Sequence, residues 1–120
     1  MTKVVSLRLP AALERAIRQN ASQSKMPASD IVRLVVMHAL GGQFSFSALP
    51  DAPQSLDAKL DFRLPEDLVS RLRAESERLG ISVSVYTRII LCAYYTKRLV
   101  FVEIGGRYTL AENHEQTKSA

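Results

Sequence analysis

The sequence predicts an α+β fold, mainly α, in which two tandem strand-helix-helix units form one pseudo-two-fold domain, followed by a C-terminal β-hairpin. Residues 6–10, Ser-Leu-Arg-Leu-Pro, return at residues 61–65 as Asp-Phe-Arg-Leu-Pro, a shift of 55 positions. The same shift places Arg33 on Arg88 without a gap. In both copies an apolar-polar alternation changes at the proline to helical spacing. An ungapped repeat of this kind indicates a duplicated structural unit.

The chain has 120 residues, which is enough for one domain or two very small ones. A single copy of the repeat would expose too much of its surface to be stable alone, so we expect the two copies to share one core. The predicted organisation is a first unit at 1–42, a linker at 43–58, a second unit at 59–98, a hairpin at 99–111 and a flexible tail at 112–120.

Composition excludes several classes of protein. The formal net charge of +4 permits an anionic partner such as nucleic acid but does not prove one. Cys92 is the only cysteine, so no disulfide can form within the chain. The first residues lack the apolar stretch of a signal peptide, and the longest apolar stretches are too short to span a bilayer. We therefore expect a cytoplasmic protein that does not bind a membrane.

The first unit begins with a strand at residues 4–9, in which apolar side chains alternate with polar ones. Pro10 ends this strand and suits the first turn of a helix, which continues to about Ser24. After a break, Ser29 is expected to cap a second helix that is apolar on almost every side and ends near Leu40. Such a helix has to be buried against more than one neighbour.

The second unit follows the same plan. A strand at residues 59–64 is expected to precede a helix at 65–80, and Ser82 or Ser84 is expected to cap a second apolar helix at 85–97. Two further features lie outside the repeat. Phe-Ser-Phe at 44–46 alternates and predicts a short strand. Residues 100–104 and 107–110 flank two glycines, a pattern typical of a hairpin.

A short strand with one apolar face cannot stand alone, because its backbone donors and acceptors need a partner. We expect the strands that begin the two units to pair antiparallel in a two-stranded ribbon. The two helix pairs would lie beneath this ribbon, related by an approximate two-fold axis. The two apolar helices would pack on each other at the centre.

This arrangement resembles the ribbon-helix-helix superfamily of DNA-binding proteins, named after the Arc and MetJ repressors. The resemblance rests on the strand alternation, the proline that opens the first helix and the break between the helices, and it covers about residues 4–41 and 59–98. Members usually carry one copy and dimerise. Two copies in one chain resemble the tandem TraY-type proteins of conjugative plasmids.

The resemblance implies that the ribbon enters the major groove of double-stranded DNA and that its outward side chains read base edges. Arg8 and Arg63 match the acceptors O6 and N7 of guanine. Ser6 can donate or accept, whereas Asp61 could accept from the cytosine amino group but also repels phosphate. The predicted base-reading residues are Val4, Ser6, Arg8, Lys59, Asp61 and Arg63. The alternative is that they form only the solvated face of a two-stranded sheet.

The resemblance implies a second contact, between DNA phosphates and the free backbone N–H groups at the start of the second helix of each unit. Such contacts fix the position of the protein without reading sequence. The serines could also simply cap their helices, and both roles can hold together. The residues predicted to bind phosphate are Ala28, Ser29, Ser82, Val83 and Ser84.

The duplication predicts an asymmetric DNA site. A homodimer presents two identical strands and reads a palindrome, whereas the two strands here differ at most outward positions. We expect the chain to fold as a monomer. Because one ribbon covers only a few base pairs, useful affinity would need several molecules bound side by side.

Nothing in the sequence predicts an enzyme, a metal site or a cofactor. His38 lies in an apolar helix, where a core histidine is the better interpretation, and His114 lies in the tail, each without ligands at metal-binding spacing. Two classes of function remain. One is a DNA-binding regulator, either a repressor or an accessory protein of plasmid transfer. The other is an interaction module, in which the C-terminal hairpin holds a protein partner as antitoxins hold toxins.

Overall fold

The computed structural model describes residues 2–41, 56–96, 99–104 and 107–112. The order of elements is β1 (Thr2–Leu9), α1 (Ala11–Ser24), α2 (Ala28–Gly41), β2 (Ala58–Pro65), α3 (Glu66–Leu79), α4 (Val83–Tyr95), β3 (Leu99–Ile104) and β4 (Arg107–Glu112). The predicted α+β class, mainly helical and with a two-stranded antiparallel sheet, is confirmed. The strand expected at 44–46, nearly all of the expected linker and the tail from 113 lie outside the described residues.

β1 and β2 form a two-stranded antiparallel ribbon with one buried face. Leu7 lies opposite Leu60, and Val5 lies opposite Phe62. The buried side chains of the two strands are at most 3% exposed, because the helices cover this face: Leu7, Leu9, Leu60, Phe62 and Leu64. Alternation along both strands leaves every second side chain on the opposite face, in solvent.

The four helices lie under the buried face of the ribbon. α2 and α4 contact each other, while α1 and α3 flank them and contact β2 and β1. One cluster of buried residues joins both halves of the chain; among its fully buried members are Ile17, Val32, Val36, Leu72, Ile90 and Leu91. In the described part of the chain, no helix combines the length and the apolar character needed to cross a membrane.

The two last strands form a separate antiparallel pair. β3 pairs with β4, with Leu99 opposite Glu112 and Ile104 opposite Arg107. The backbone of β3 contacts α4, and that of β4 contacts α2. These strands therefore lie against the two central helices rather than beside the β1–β2 ribbon, with which they share no sheet.

The prolines expected in the first turns of α1 and α3 lie one residue before these helices. Pro10 is extended (φ −61°, ψ 144°), and its carbonyl oxygen accepts from the N–H groups of the first turn of α1. The fixed φ of proline suits this position as well as the first helical residue. The N–H of Ala11 donates instead to Oδ1 of Asp57 at 2.9 Å. Asp57 directly precedes β2, so this bond ties the start of α1 to the second half of the chain.

The cap predicted for α2 is wrong. The helix begins at Ala28, so Ser29 is its second residue and cannot occupy the capping position. The residue before the helix is Pro27, whose carbonyl oxygen accepts from the N–H of Asp30 at 3.0 Å. A proline has no side-chain oxygen, so this helix starts without the hydrogen bond that a serine cap would supply.

In α4 the first of the two candidate caps is the correct one. Oγ of Ser82 accepts from the N–H of Val85 at 3.1 Å. The helix consequently begins at Val83, two residues earlier than expected, and ends at Tyr95. Ser84 lies inside the first turn and does not cap it.

The two connections between paired helices have the same backbone geometry. Lys25 follows α1 in the left-handed conformation (φ 57°), and Gly80 follows α3 in the same conformation (φ 74°). Met26 N–H donates to the carbonyl of Ala21, and the residues 55 positions later, Ile81 and Ser76, form the same bond. Lys25 is the only residue other than glycine with a positive φ in the described ranges. A lysine carries a steric cost at this position that glycine avoids.

We expect Lys25→Gly to raise the free energy of unfolding by up to about 1 kcal/mol, because it removes the left-handed strain. Gly80→Ala is the matched change, and it should lower the same free energy by about 1 kcal/mol, since no atom lies near its added Cβ and only the backbone conformation opposes it. Urea denaturation of both variants measures these values. Equal effects of the same sign would contradict this account.

Tyr86 lies in the core and is only 1% exposed. Burial, followed by the nearby Glu75 carboxylate, raises the pKa of its phenol from 10.0 to about 12, and the Arg78 cation opposes this in part. The folded chain therefore keeps the proton that the unfolded chain releases near pH 10.

We predict that the free energy of unfolding falls as pH rises between about 10 and 12, because the unfolded state binds fewer protons in this window. The stabilisation is fully present below pH 10. Denaturation of the protein and of Tyr86→Phe across this range tests the assignment. In the variant, the free energy of unfolding should fall less over this pH range. An unchanged decline would mean that a group other than Tyr86 causes it.

Candidate nucleic-acid interface

All six predicted base-reading residues lie on the exposed face of the ribbon. The register pairs Val4 with Arg63, Ser6 with Asp61 and Arg8 with Lys59. Each of these side chains is exposed to solvent. The structure thus brings together on one surface two groups of residues that lie more than 50 positions apart in the sequence.

The dimensions of this surface match a short stretch of duplex. Successive outward residues of one strand are about 6.6 Å apart, so Val4 and Arg8 are separated by about 13 Å. Base pairs of DNA rise by about 3.4 Å each, so this length corresponds to about four base-pair steps. A two-stranded β-ribbon is narrow enough to enter the major groove.

The middle of the surface is occupied by a hydrogen-bonded pair, Ser6 and Asp61. Oγ of Ser6 donates to Oδ1 of Asp61 at 2.6 Å, a length typical of a hydroxyl bound to a carboxylate. Nζ of Lys59 lies 4.0 Å from the same oxygen. The side chains of Lys59 and Asp61 are each 58% exposed, so their ion pair contributes little stability.

Arg88 holds the strand that carries Arg8. Its Nη1 donates to the backbone carbonyl of Arg8 at 2.9 Å, and the side chain is buried. A two-stranded ribbon leaves backbone groups on its outer edges without ladder partners, and this bond satisfies one of them. From the sequence, Arg88 was known only as the repeat equivalent of Arg33, within a helix expected to be apolar. The signal in the sequence that could have indicated this bond was a long charged side chain with no carboxylate near it on its own helix.

The equivalent arginine of the first half is used differently. Arg33 lies 55 positions before Arg88, but its Nη2 donates to Oδ1 of Asp30 at 3.1 Å, within the same helix. At the position equivalent to Asp30, α4 has Val85, which offers no carboxylate. The two equivalent arginines therefore differ in their contacts, since Arg33 remains on its helix and Arg88 reaches the ribbon.

The predicted phosphate-binding residues lie at the starts of α2 and α4, but the two helix ends differ. The first turn of α2 contains Asp30, and that of α4 contains no acidic residue. The N–H groups of Val83 and Ser84 donate to nothing within the described part of the chain. A negative side chain repels an anion, so the start of α4 is the more favourable of the two.

A separate apolar pocket of about 280 Å³ lies between α1 and the end of α4. Burial raises the pKa of the Cys92 thiol in its wall, although the Arg88 cation opposes this, so the unreactive protonated form is favoured. The residues of the wall are Pro10, Ala12, Leu13, Ala16, Cys92, Tyr95 and Thr96. None of them belongs to the predicted interface.

Side chains able to hold a metal ion are not grouped in the described ranges: no three histidine, cysteine, aspartate or glutamate residues lie together there. His38 is half-buried on α2.

No protein-family model matches the chain, and no match was found among curated proteins or solved structures. The resemblance to the ribbon-helix-helix superfamily therefore stays a prediction from the sequence repeat.

We expect Arg88→Met to lower the free energy of unfolding by about 1–3 kcal/mol, because it leaves the Arg8 carbonyl without its charged donor. Amide hydrogen exchange near Arg8 should also become faster. Arg33→Met is the matched control, and its loss of a half-exposed ion pair should cost less than about 1 kcal/mol. If both variants changed stability and exchange equally, Arg88 would have no special role in holding β1.

Proposed function

We propose that this protein binds double-stranded DNA by placing the β1–β2 ribbon in the major groove, and that it acts as a transcriptional regulator. One observation carries this proposal. The ribbon is buried on one face, and its other face exposes Arg8 and Arg63 on opposite strands. An arginine can donate two hydrogen bonds to guanine O6 and N7, the commonest specific contact in protein–DNA complexes.

Support for a tandem ribbon-helix-helix architecture comes from the register of the ribbon. Ser6 and Asp61 occupy the same position in the two copies of the repeat, and they lie directly opposite each other. Equivalent residues meet in this way only where an approximate two-fold axis crosses an antiparallel pair. The left-handed conformation that Lys25 and Gly80 share supports the same symmetry.

The size of the surface bears on how the protein would occupy its site. About four base-pair steps offer few base contacts, and each mismatch in a DNA site costs only about 1–3 kcal/mol. We infer that several chains bind side by side on neighbouring sites. The backbone N–H groups of Val83 and Ser84 would bind a phosphate and fix the position of the ribbon.

The repressor role and the plasmid-transfer role use the same contact with DNA. They differ in where the site lies, at a promoter or at a transfer origin. In either role we propose a cytoplasmic protein without catalytic activity. An interaction module built on β3 and β4 is less well supported, because the backbones of both strands contact the central helices.

We expect Arg8→Ala and Arg63→Ala each to weaken binding to the selected duplex by about 5- to 150-fold, the range of one bidentate base contact. Arg73→Ala removes the same charge from the exposed side of α3 and should change binding much less. The site is first selected from a random duplex library at physiological salt, and titrations then give each Kd. An asymmetric motif containing guanine should emerge.

If both ribbon variants bound as tightly as Arg73→Ala, the ribbon would not read DNA. Selection of a palindrome would mean that two chains combine at one site. Binding that falls steeply with salt and selects no motif would indicate contact with phosphates alone.

A further inference from the structure

We propose that the Ser6–Asp61 pair at the centre of the ribbon selects cytosine, and that this fixes the direction in which the chain lies on DNA. The inference rests on the proposed function. It concerns the two residues whose direct contact occupies the middle of the exposed surface.

The hydrogen bond between these residues determines what they can offer to a base. Serine alone can donate or accept, but the hydroxyl hydrogen of Ser6 is committed to Oδ1 of Asp61 at 2.6 Å. Lys59 approaches that same oxygen, so Oδ2 of Asp61 takes part in neither contact. A carboxylate has no hydrogen to donate. The pair therefore presents only acceptors to the groove.

Only one base edge suits a pure acceptor. Guanine shows the acceptors N7 and O6, and thymine shows the acceptor O4 beside its methyl group. Adenine offers its amino group, but the N7 acceptor next to it repels a carboxylate. Cytosine offers the N4 amino group without an acceptor of its own in the major groove. Asp61 is therefore expected to accept a hydrogen bond from cytosine.

The ends of the surface differ in charge, and this difference gives the central contact a direction. Arg8 and Lys59 place two cations at one end, whereas the other end has Arg63 beside the apolar Val4. Val4 is 57% exposed, and its methyl groups suit the thymine methyl group. The cytosine that Asp61 contacts is therefore flanked by different bases on its two sides. If the protein lay on the duplex in the opposite direction, each end of the surface would face bases that it does not match.

The test compares duplex selection by the full chain with selection by Asp61→Asn. Asparagine has nearly the same shape, and its amide both donates and accepts, which matches N6 and N7 of adenine. We expect the unaltered chain to prefer cytosine at one position by about tenfold, the magnitude of one base contact. Asp61→Asn should change that position to adenine and leave the other positions of the motif unchanged.

Two further variants separate base reading from charge and from folding. Asp67→Asn removes an equal charge from the exposed first turn of α3 and should leave every preference unchanged. Asp61→Ser pairs two serines, which can donate as well as accept, so the preference at that position should fall towards equality. Circular dichroism establishes that each variant is folded.

A specific motif that stays the same in both Asp61 variants would overturn this inference while leaving the DNA-reading proposal intact. Failure of the unaltered chain to bind any duplex would instead refute the proposed function itself.

Discussion

The pairing of β1 with β2 is the constraint on which the other elements depend. Each strand has one apolar face, and the register places Leu7 and Leu60 on the same side, over the helices. A slip of one residue would turn the apolar side chains of one strand to solvent and its charged ones to the core. The alternation that builds the core therefore also determines which side chains remain outside. The buried face and the exposed face of the ribbon are thus two results of one register.

Much of this arrangement could be predicted from the sequence, because the repeat and the alternation both report on burial. The outward positions and the helix pairs could be predicted from the spacing of apolar residues alone. The bond from Arg88 to the Arg8 carbonyl could not, since it joins residues 80 positions apart and since the equivalent Arg33 pairs with a neighbouring carboxylate. The left-handed Lys25 gave no signal, because glycine is the residue that marks this conformation.

The two halves keep the same backbone plan but have diverged where side chains meet. Asp57, which lies in the second half of the chain, caps α1. Ser82, the residue directly before α4, caps that helix, whereas α2 begins after a proline. Such differences leave the shared core unchanged, because they lie at helix ends and on the ribbon surface. They are also the differences that a homodimer cannot have, since any change would appear in both subunits at once.

Because both strands of the ribbon lie in one polypeptide, formation of the ribbon does not depend on protein concentration as it would in a dimer. When two separate subunits each supply a strand, the ribbon disappears as the number of molecules per cell falls below the dissociation constant of the dimer. Here the partner strand is tethered, so its local concentration is set by the length of the intervening chain. A cell holding a single copy of this polypeptide would hold one complete ribbon.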